Sequence, residues 1–299
     1  MTKPVISVVI PHLNTPGSLM RCLASVCGQQ GPAGDVEVIV VDNGSNLPLD
    51  GVQAAFPHVR HLLEPLPGPG LARNAGVAAA GSDCLAFIDA DCAASPGWLA
   101  AAHAAAAAGQ IAGGDVAIET ADPAHLTGIE AFESVFGFRQ QMYIRDKNFS
   151  VTANLAMPRA AFDRVGPFGG IEIAEDLDWG RRAHALGLSM HYRPDMQVLH
   201  PPRPDMPALE RKFDRLINHD WHSHVASGRA LWRWQARALA LAVSPLVDGA
   251  ALLTSPRLSG AGNRLRGIAT LIAIRRYRCR RMLAMAAAPP AGGAMMWNR

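Results

Sequence analysis

Two aspartates stand two residues apart at the end of an apolar run, in LAFIDAD at 85–91. The run fits a buried strand, which would put Asp89 and Asp91 at its carboxyl end, where open α/β sheets place their ligand sites. Carboxylates spaced i and i+2 share one face of a continuing strand. On a turn leaving the strand they can still converge on one hard cation and the phosphates it bridges. A turn alone explains an isolated Asp-x-Asp as well, because Asp is common after strands. A second acidic pair, Glu175 and Asp176, opens the helical pattern AEDLDWGRRAHALG at 174–187. There, compensation of the helix dipole competes with a chemical role. Context decides both cases.

The elements that would position these residues read as alternating strands and helices. A β-branched apolar run at 5–10 stops at Pro11 and leads to His12 and Asn14; apolar residues at helical spacing follow over 18–27 and Gly28 closes them. A second buried strand, 36–41, ends at Asp42-Asn43-Gly44-Ser45, so strand, helix and strand suggest a βαβ unit with parallel strands. The segment 59–64 reads as a third strand, 71–80 as a helix after Gly68-Pro69-Gly70, and 84–88 as the strand that ends at Asp89 and Asp91. Right-handed crossovers bring such strand ends to one edge of a sheet, so His12/Asn14, Asp42 and Asp89/Asp91 should form one site.

Farther on, an alanine-rich helix spans 99–108, which helix propensity alone explains. A strand is expected at 111–119, a long and partly helical connection at 122–145, and a strand at 151–157 with Asn154 at its middle. A short helix at 159–165 precedes the Gly-rich loop 166–170, and strands at 190–193 and 197–200 close the pattern. Beyond Pro201-Pro202-Arg203-Pro204 the chain turns helical, over 208–227, 230–253 interrupted by Pro245, and 263–285; from Ala286 it is rich in Pro, Gly and Ala, as in disordered tails. The expected domains are therefore 1–204, a helical region at 205–285 and a tail at 286–299.

With 299 residues, 49% hydrophobic and 18% charged, the chain can bury a sizeable core, and a net charge of +3 is too small to argue for a nucleic-acid partner. Five cysteines contain no C-x-x-C and suggest a reducing compartment. The amino terminus lacks the apolar region of a signal peptide, which points to a cytoplasmic protein, with the inner face of the plasma membrane as a further setting. The basic run 275–281 beside apolar 268–274 has two readings, an anionic membrane surface and a solvated helix face, and 205–285 could equally be an oligomerisation element giving a homo-oligomer. His219, His222 and His224 have a spacing that could hold zinc, but without a further Cys/His cluster a packed or solvated helix is the simpler reading.

Five segments in one order, ISVVIPHLN (6–14), VEVIVVDNGS (36–45), GPGLARNAG (68–76), LAFIDAD (85–91) and IAEDLDW (173–179), resemble the family 2 inverting glycosyltransferases of the GT-A fold. The resemblance covers roughly residues 4–203. It implies a Rossmann-like α/β fold with a mixed, mainly parallel sheet flanked by helices, here with a helical carboxyl-terminal extension. It also implies a nucleotide-diphospho-sugar donor, UDP-linked by family frequency, a divalent metal (Mn2+ or Mg2+), and transfer to a hydroxyl of a glycan or lipid-linked glycan.

By the same match Pro11 and His12, with Asn14 nearby, would line the nucleotide base, Asp42 would hold base or ribose, and Arg73 would lie near base and diphosphate. Asp91 would bind the metal, with Asp89 on ribose or a metal water and Ala90 between them, while His200 would lie close to metal or diphosphate. Asp176 matches the general base, Glu175 would orient the acceptor, and Asn154 would belong to a donor or acceptor pocket.

Asn43 stands where many members carry a second acid, so Asp42 alone would serve there. The Gln-x-x-Arg-Trp motif of processive synthases and flanking membrane spans are absent from the sequence, which favours addition of one sugar. A dinucleotide fingerprint at Gly68 fails because Arg73 holds the place of its last glycine. A nucleotidyltransferase would need a Gly-rich basic signature near the first strand, and a non-catalytic nucleotide-sugar-binding scaffold would be expected to lose carboxylates that are present here.

Overall fold

The computed structural model describes residues 3–32 and 34–287. These form two compact units: one runs to Ala117 and resumes from Arg139 to His200, and the other takes Ile118–Phe138 and the chain from Pro201 onward. Where the sequence pattern suggests one boundary near Pro204, the 118–138 segment groups with the later helices, because Leu126, Ala131 and Phe132 complete their core.

In the first unit, β1 (Ile6–His12), α1 (Pro16–Cys27) and β2 (Val36–Asp42) make a βαβ unit with parallel strands. It continues through α2 (Asp50–Ala55), β3 (Arg60–Leu63), α3 (Pro69–Ala79) and β4 (Cys84–Ile88), and β3, β2, β1 and β4 pair side by side in parallel. Every residue of β1 and β4 is buried, as strands covered on both faces must be. The six-residue α2 is too short to show a helical period and is not expected from sequence.

Then come β5 (Ala93–Ala94), α4 (Trp98–Ala107) and β6 (Ile111–Ile118). The connection expected at 122–145 resolves into α5 (Gly128–Phe136), opened by a reciprocal Thr127/Glu130 capping box, and α6 (Gln140–Lys147). β7 (Asn154–Pro158) runs antiparallel to β4 and β6, so Asn154 begins this strand. It leads through α7 (Arg159–Val165) and α8 (Glu175–Ala185) to β8 (Met190–His200). β8 is one strand where two are expected. Its ladder with β5 lies at Val198 and Leu199, beyond Pro194, so the missing N–H of Pro194 breaks no bond there. The mixed sheet has the order β3-β2-β1-β4-β7-β6-β8-β5.

Close packing fixes α3 on this sheet. A Cβ at Gly76 would come within 2.3 Å of Val9 Cγ1, so only glycine allows the helix to lie this near β1 and β2. The core beneath includes Val9, Ile39, Phe87, Leu155, Phe168 and Trp179.

The second unit packs α5 with α9 (Met206–Ala226), α10 (Leu231–Val243), α11 (Pro245–Thr254) and α12 (Gly260–Ala287). Pro245 cannot donate to the preceding turn, and α10 and α11 meet at 44°. No single helix among the described residues is long and apolar enough to cross a membrane; only the bent α10–α11 pair reaches that length and composition together. Residues 286 and 287 of the expected disordered tail end α12, and the remainder of the tail lies outside the described residues.

The basic run on α12 is divided between packing and solvent, with Arg276 and Arg280 exposed. Arg275 pairs with Asp248, Arg281 and Tyr277 both bind Asp214, and the Arg278 guanidinium lies 4.6 Å from the Phe213 ring centroid. The His224 ring likewise packs against Trp221 and Trp234.

Candidate active site

The register of β1 with β2 sets His12 opposite Asp42, and β4 pairs with β1 on its other side, so the three polar strand ends come to one edge. Asp42 is held from two directions. His12 is buried, and its Nε2 accepts the Thr15 N–H at 3.1 Å, which leaves the proton on Nδ1 to donate to Asp42 Oδ1 at 3.0 Å. Ser45 gives its hydroxyl to Asp42 Oδ1 and its N–H to Oδ2 at 3.1 Å. Burial opposes the Asp42 charge, yet these hydrogen bonds keep the carboxyl below its usual range.

His12, expected to line the base, has both ring nitrogens engaged inside the protein, one of them on Asp42. Pro11 is buried beside it. Asn14, at φ 55°, donates its N–H to Ser45 Oγ at 2.8 Å and accepts the Asn46 N–H at 2.7 Å, pinning the two loops together. A cavity of about 310 Å³ lies alongside, lined by Asp42, Leu47, Gln53 and His61 among others.

Arg73, on α3, is fully buried and spans the site. It donates to Asp89 Oδ1 at 2.5 Å and to Glu175 Oε1 at 2.9 Å. The sequence-based place for Arg73 is near base and diphosphate; instead both arms of the guanidinium are taken by carboxylates of this chain. Its helix can approach the 166–170 loop because position 70 is glycine, where a Cβ would meet the Gly169 carbonyl at 2.2 Å.

Glu175 and Asp176 open α8. Burial pushes the Asp176 carboxyl up to about 7, the adjacent Glu175 charge adds to this, and the Leu177 N–H and Arg73 oppose it. Asp91 and His200 face each other, with Nε2 3.4 Å from Oδ2, at the ends of β4 and β8. Ala90 between the two aspartates is buried.

Asn154 does not join this group. It has no exposed surface, its carbonyl accepts from Trp98 Nε1 at 2.8 Å, and its amide donates to the Asp115 and Met196 carbonyls, both at 2.7 Å. Its amide ties β7 to β6 and β8. Ser45 and Cys92 were not singled out by sequence reasoning. The Asp-Asn-Gly-Ser turn signals the first, but nothing local signals the second, whose thiol lies 3.7 Å from Asp91 Oδ1.

A divalent cation can be tested against this donor set. Asp91 is a hard oxygen donor beside an imidazole nitrogen, which suits such an ion. Among the described residues no three His, Cys, Asp or Glu side chains form a complete metal site by themselves.

The profile described as Glycosyl transferase family 2 matches residues 7–166. Glycosyltransferase AglE of Haloferax volcanii is 31% identical over 223 residues, spanning 71% of this chain and 72% of that protein. Succinoglycan biosynthesis protein ExoO of Rhizobium meliloti is 34% identical over 128 residues, or 42% of this chain and 35% of that protein.

Among solved structures, the mannosyltransferase PcManGT from Pyrobaculum calidifontis in complex with GDP-Man and Mn2+ superposes with a TM-score of 0.59 at 16% identity, covering 97% of this chain and 89% of that one. S. aureus TarS 1-349 in complex with UDP gives 0.53 at 14% identity, covering 92% and 91%. Those two likenesses are of fold. Together with the profile match over more than half of the chain, they accompany the conclusion that this protein is a glycosyltransferase with a GT-A fold and belongs to glycosyl transferase family 2.

Proposed function

We propose that the protein transfers one sugar from a nucleotide-diphospho-sugar to a hydroxyl of a glycan or lipid-linked glycan, with inversion and with a divalent cation. The observation that carries this reading is the Arg73 bridge. One buried guanidinium holds Asp89 of the Asp-x-Asp and Glu175 next to Asp176, so the cation motif and the candidate base share one rigid frame.

Asp42 keeps a lone pair on Oδ2 after the bonds from His12 and Ser45, enough to accept from a base imide or a ribose hydroxyl, and the adjoining cavity gives the base room. Asp91 and His200 would hold the cation, Mn2+ or Mg2+, which when bound supplies positive charge to the leaving diphosphate. Asp176, with a carboxyl raised to about 7, is matched to receiving a proton near neutrality. As the acceptor oxygen bonds to the anomeric carbon from the face opposite the diphosphate, its proton passes to Asp176 and the carbon–oxygen bond to the diphosphate breaks. A single displacement inverts the centre.

A donor panel of UDP- and GDP-linked sugars, assayed for released nucleoside diphosphate with manganese, with magnesium and with chelator, tests the reading. Cation-dependent release that rises with added acceptor is expected. Pyrophosphate release would instead indicate nucleotidyl transfer, and binding without turnover would indicate a scaffold.

A further inference from the structure

We propose that α10 and α11 form a docking face for an anionic lipid surface. This face is distinct from the basic run of α12 and independent of the sugar-transfer reading. The observation is a helix pair that exposes large apolar side chains beside Arg233, Gln235 and Arg237 on the solvent side of α10. One side is in the core, through Trp234, Ala238 and Leu252. The other side carries Trp232, Leu239, Val243, Leu246, Val247 and Leu253 in the open, with Trp232 63%, Leu246 87% and Val247 77% exposed.

The spacing explains why these residues form a stripe. On α10, positions 232, 239 and 243 lie seven and four residues apart, which returns each to nearly the same azimuth, and Leu246, Val247 and Leu253 carry the exposed apolar surface onto α11, bent 44° from α10. Exposed Trp, Leu and Val set beside arginines, on a helix pair whose other side is in a core, is the pattern of helices that lie in a lipid interface.

Charge chooses the occupant. From 229 to 257 the chain carries Arg229, Arg233, Arg237 and Arg257 against one acid, Asp248; Arg275 holds Asp248, Arg237 pairs with Asp220 and Arg257 donates to the Ser134 carbonyl, so Arg229 and Arg233 are the cations nearest the stripe. The Arg233 guanidinium lies 5.5 Å from the Trp232 ring centroid, which puts an aromatic ring and a cation together at one end of the stripe. Trp at the boundary, Arg near headgroups and Leu/Val between them is the chemistry of interfacial helices.

A second copy of the chain fits less well. A two-fold contact through this stripe would set Arg229 and Arg233 of one copy near the same residues of the other, with no acid of the stretch left to pair them. An anionic bilayer supplies the opposite charge instead. The arginines favour phosphatidylglycerol or a similar acidic headgroup over a neutral one.

The full chain should co-sediment with vesicles of phosphatidylglycerol and phosphatidylcholine and much less with phosphatidylcholine alone. Brominated lipid should quench part of its fluorescence, and Trp232→Phe should remove that quenched part. Leu246→Glu with Val247→Glu should lower the bound fraction on the order of tenfold. These side chains already face solvent, so circular dichroism should be unchanged, and a variant that has lost its helical signal is replaced by Leu239→Gln with Val243→Gln. Sedimentation that is absent, or unmoved by both substitution pairs, overturns the proposal. So does a dimer by light scattering that the same substitutions convert to monomer while vesicle binding stays as it was.

Discussion

Arg73 Nη1 lies 2.9 Å from Glu175 Oε1, a bond between residues 102 positions apart that fastens α3 to the first turn of α8. Its other arm holds Asp89, so three elements meet on one side chain that is 2% exposed. Replacement of Arg73 by Met strands two carboxylates. Because Asp89 keeps about a third of its side chain in solvent, 34% exposed, the cost should sit toward the low end for a buried pair, about 2–4 kcal/mol. Thermal unfolding should show a lower midpoint, and donor turnover should fall with it. Arg73→Lys should recover stability only in part, since one ammonium cannot reproduce two diverging arms.

Asp176 links pH to both stability and rate. The folded carboxyl keeps its proton up to about 7, against an ordinary value of 3.8. Between those values the folded state binds more protons than the unfolded one, so this group's contribution to stability declines as pH rises through the window and is flat above it. Asp176→Asn should therefore gain about 1 kcal/mol or more over the wild type at about pH 8, and less at about pH 5, in denaturant melts. The same variant should bind donor normally but lose on the order of 10²–10⁴ in kcat. The wild-type rate should climb to a plateau near the upper end of that window. Full activity in Asp176→Asn would remove the residue from the role of base.

Asp91 and His200 should separate by degree. Calorimetry of nucleoside diphosphate with manganese should show the metal-dependent part of binding abolished in Asp91→Ala and weakened on the order of tenfold in His200→Ala. Binding without metal should be nearly the same in all three proteins. Equal affinity of Asp91→Ala and wild type in manganese would dismiss the cation assignment.

The second unit has its own buried charge. Glu133 has no exposed side-chain surface and accepts from the Arg203 N–H at 2.8 Å, the Arg203 guanidinium at 2.7 Å and Lys212 Nζ at 3.3 Å. Burial lowers the Lys212 ammonium to about 8, with Arg203 adding to the effect and Glu133 opposing it. Glu133→Ala should cost about 3–5 kcal/mol, read as a lower unfolding midpoint, because two cations lose their carboxylate. Glu133→Gln keeps the shape and some acceptors and should cost less.

Much of the site was legible because it sits at strand ends. A strand declares itself by its own apolar run, and parallel βα units bring those ends to one edge, so Asp42, Asp89 and Asp91 could be grouped without coordinates. Roles that depend on where a side chain turns were less legible. Asn154 in TANLAM and His12 in IPHLN carry the right atoms for a ligand pocket, but their hydrogen-bonding groups are spent on Trp98, Asp115 and Met196 in one case and on Thr15 and Asp42 in the other. Such saturation depends on partners up to 56 residues away, which no local pattern contains.

By itself, then, the sequence determined the alternation of buried strands and helices, the carboxylates at their ends and the family they resemble, because period and spacing are local properties of the chain. Tertiary structure alone decided that Arg73 ties Asp89 to Glu175, that Asp176 is crowded enough to hold a proton near neutrality, and that Arg275, Arg278 and Arg281 of α12 find partners while α10 and α11 turn leucine and valine outward. The reason is the same for all three. Burial and charge pairing are sums over neighbours brought together by folding, and the order of residues along the chain does not contain those sums.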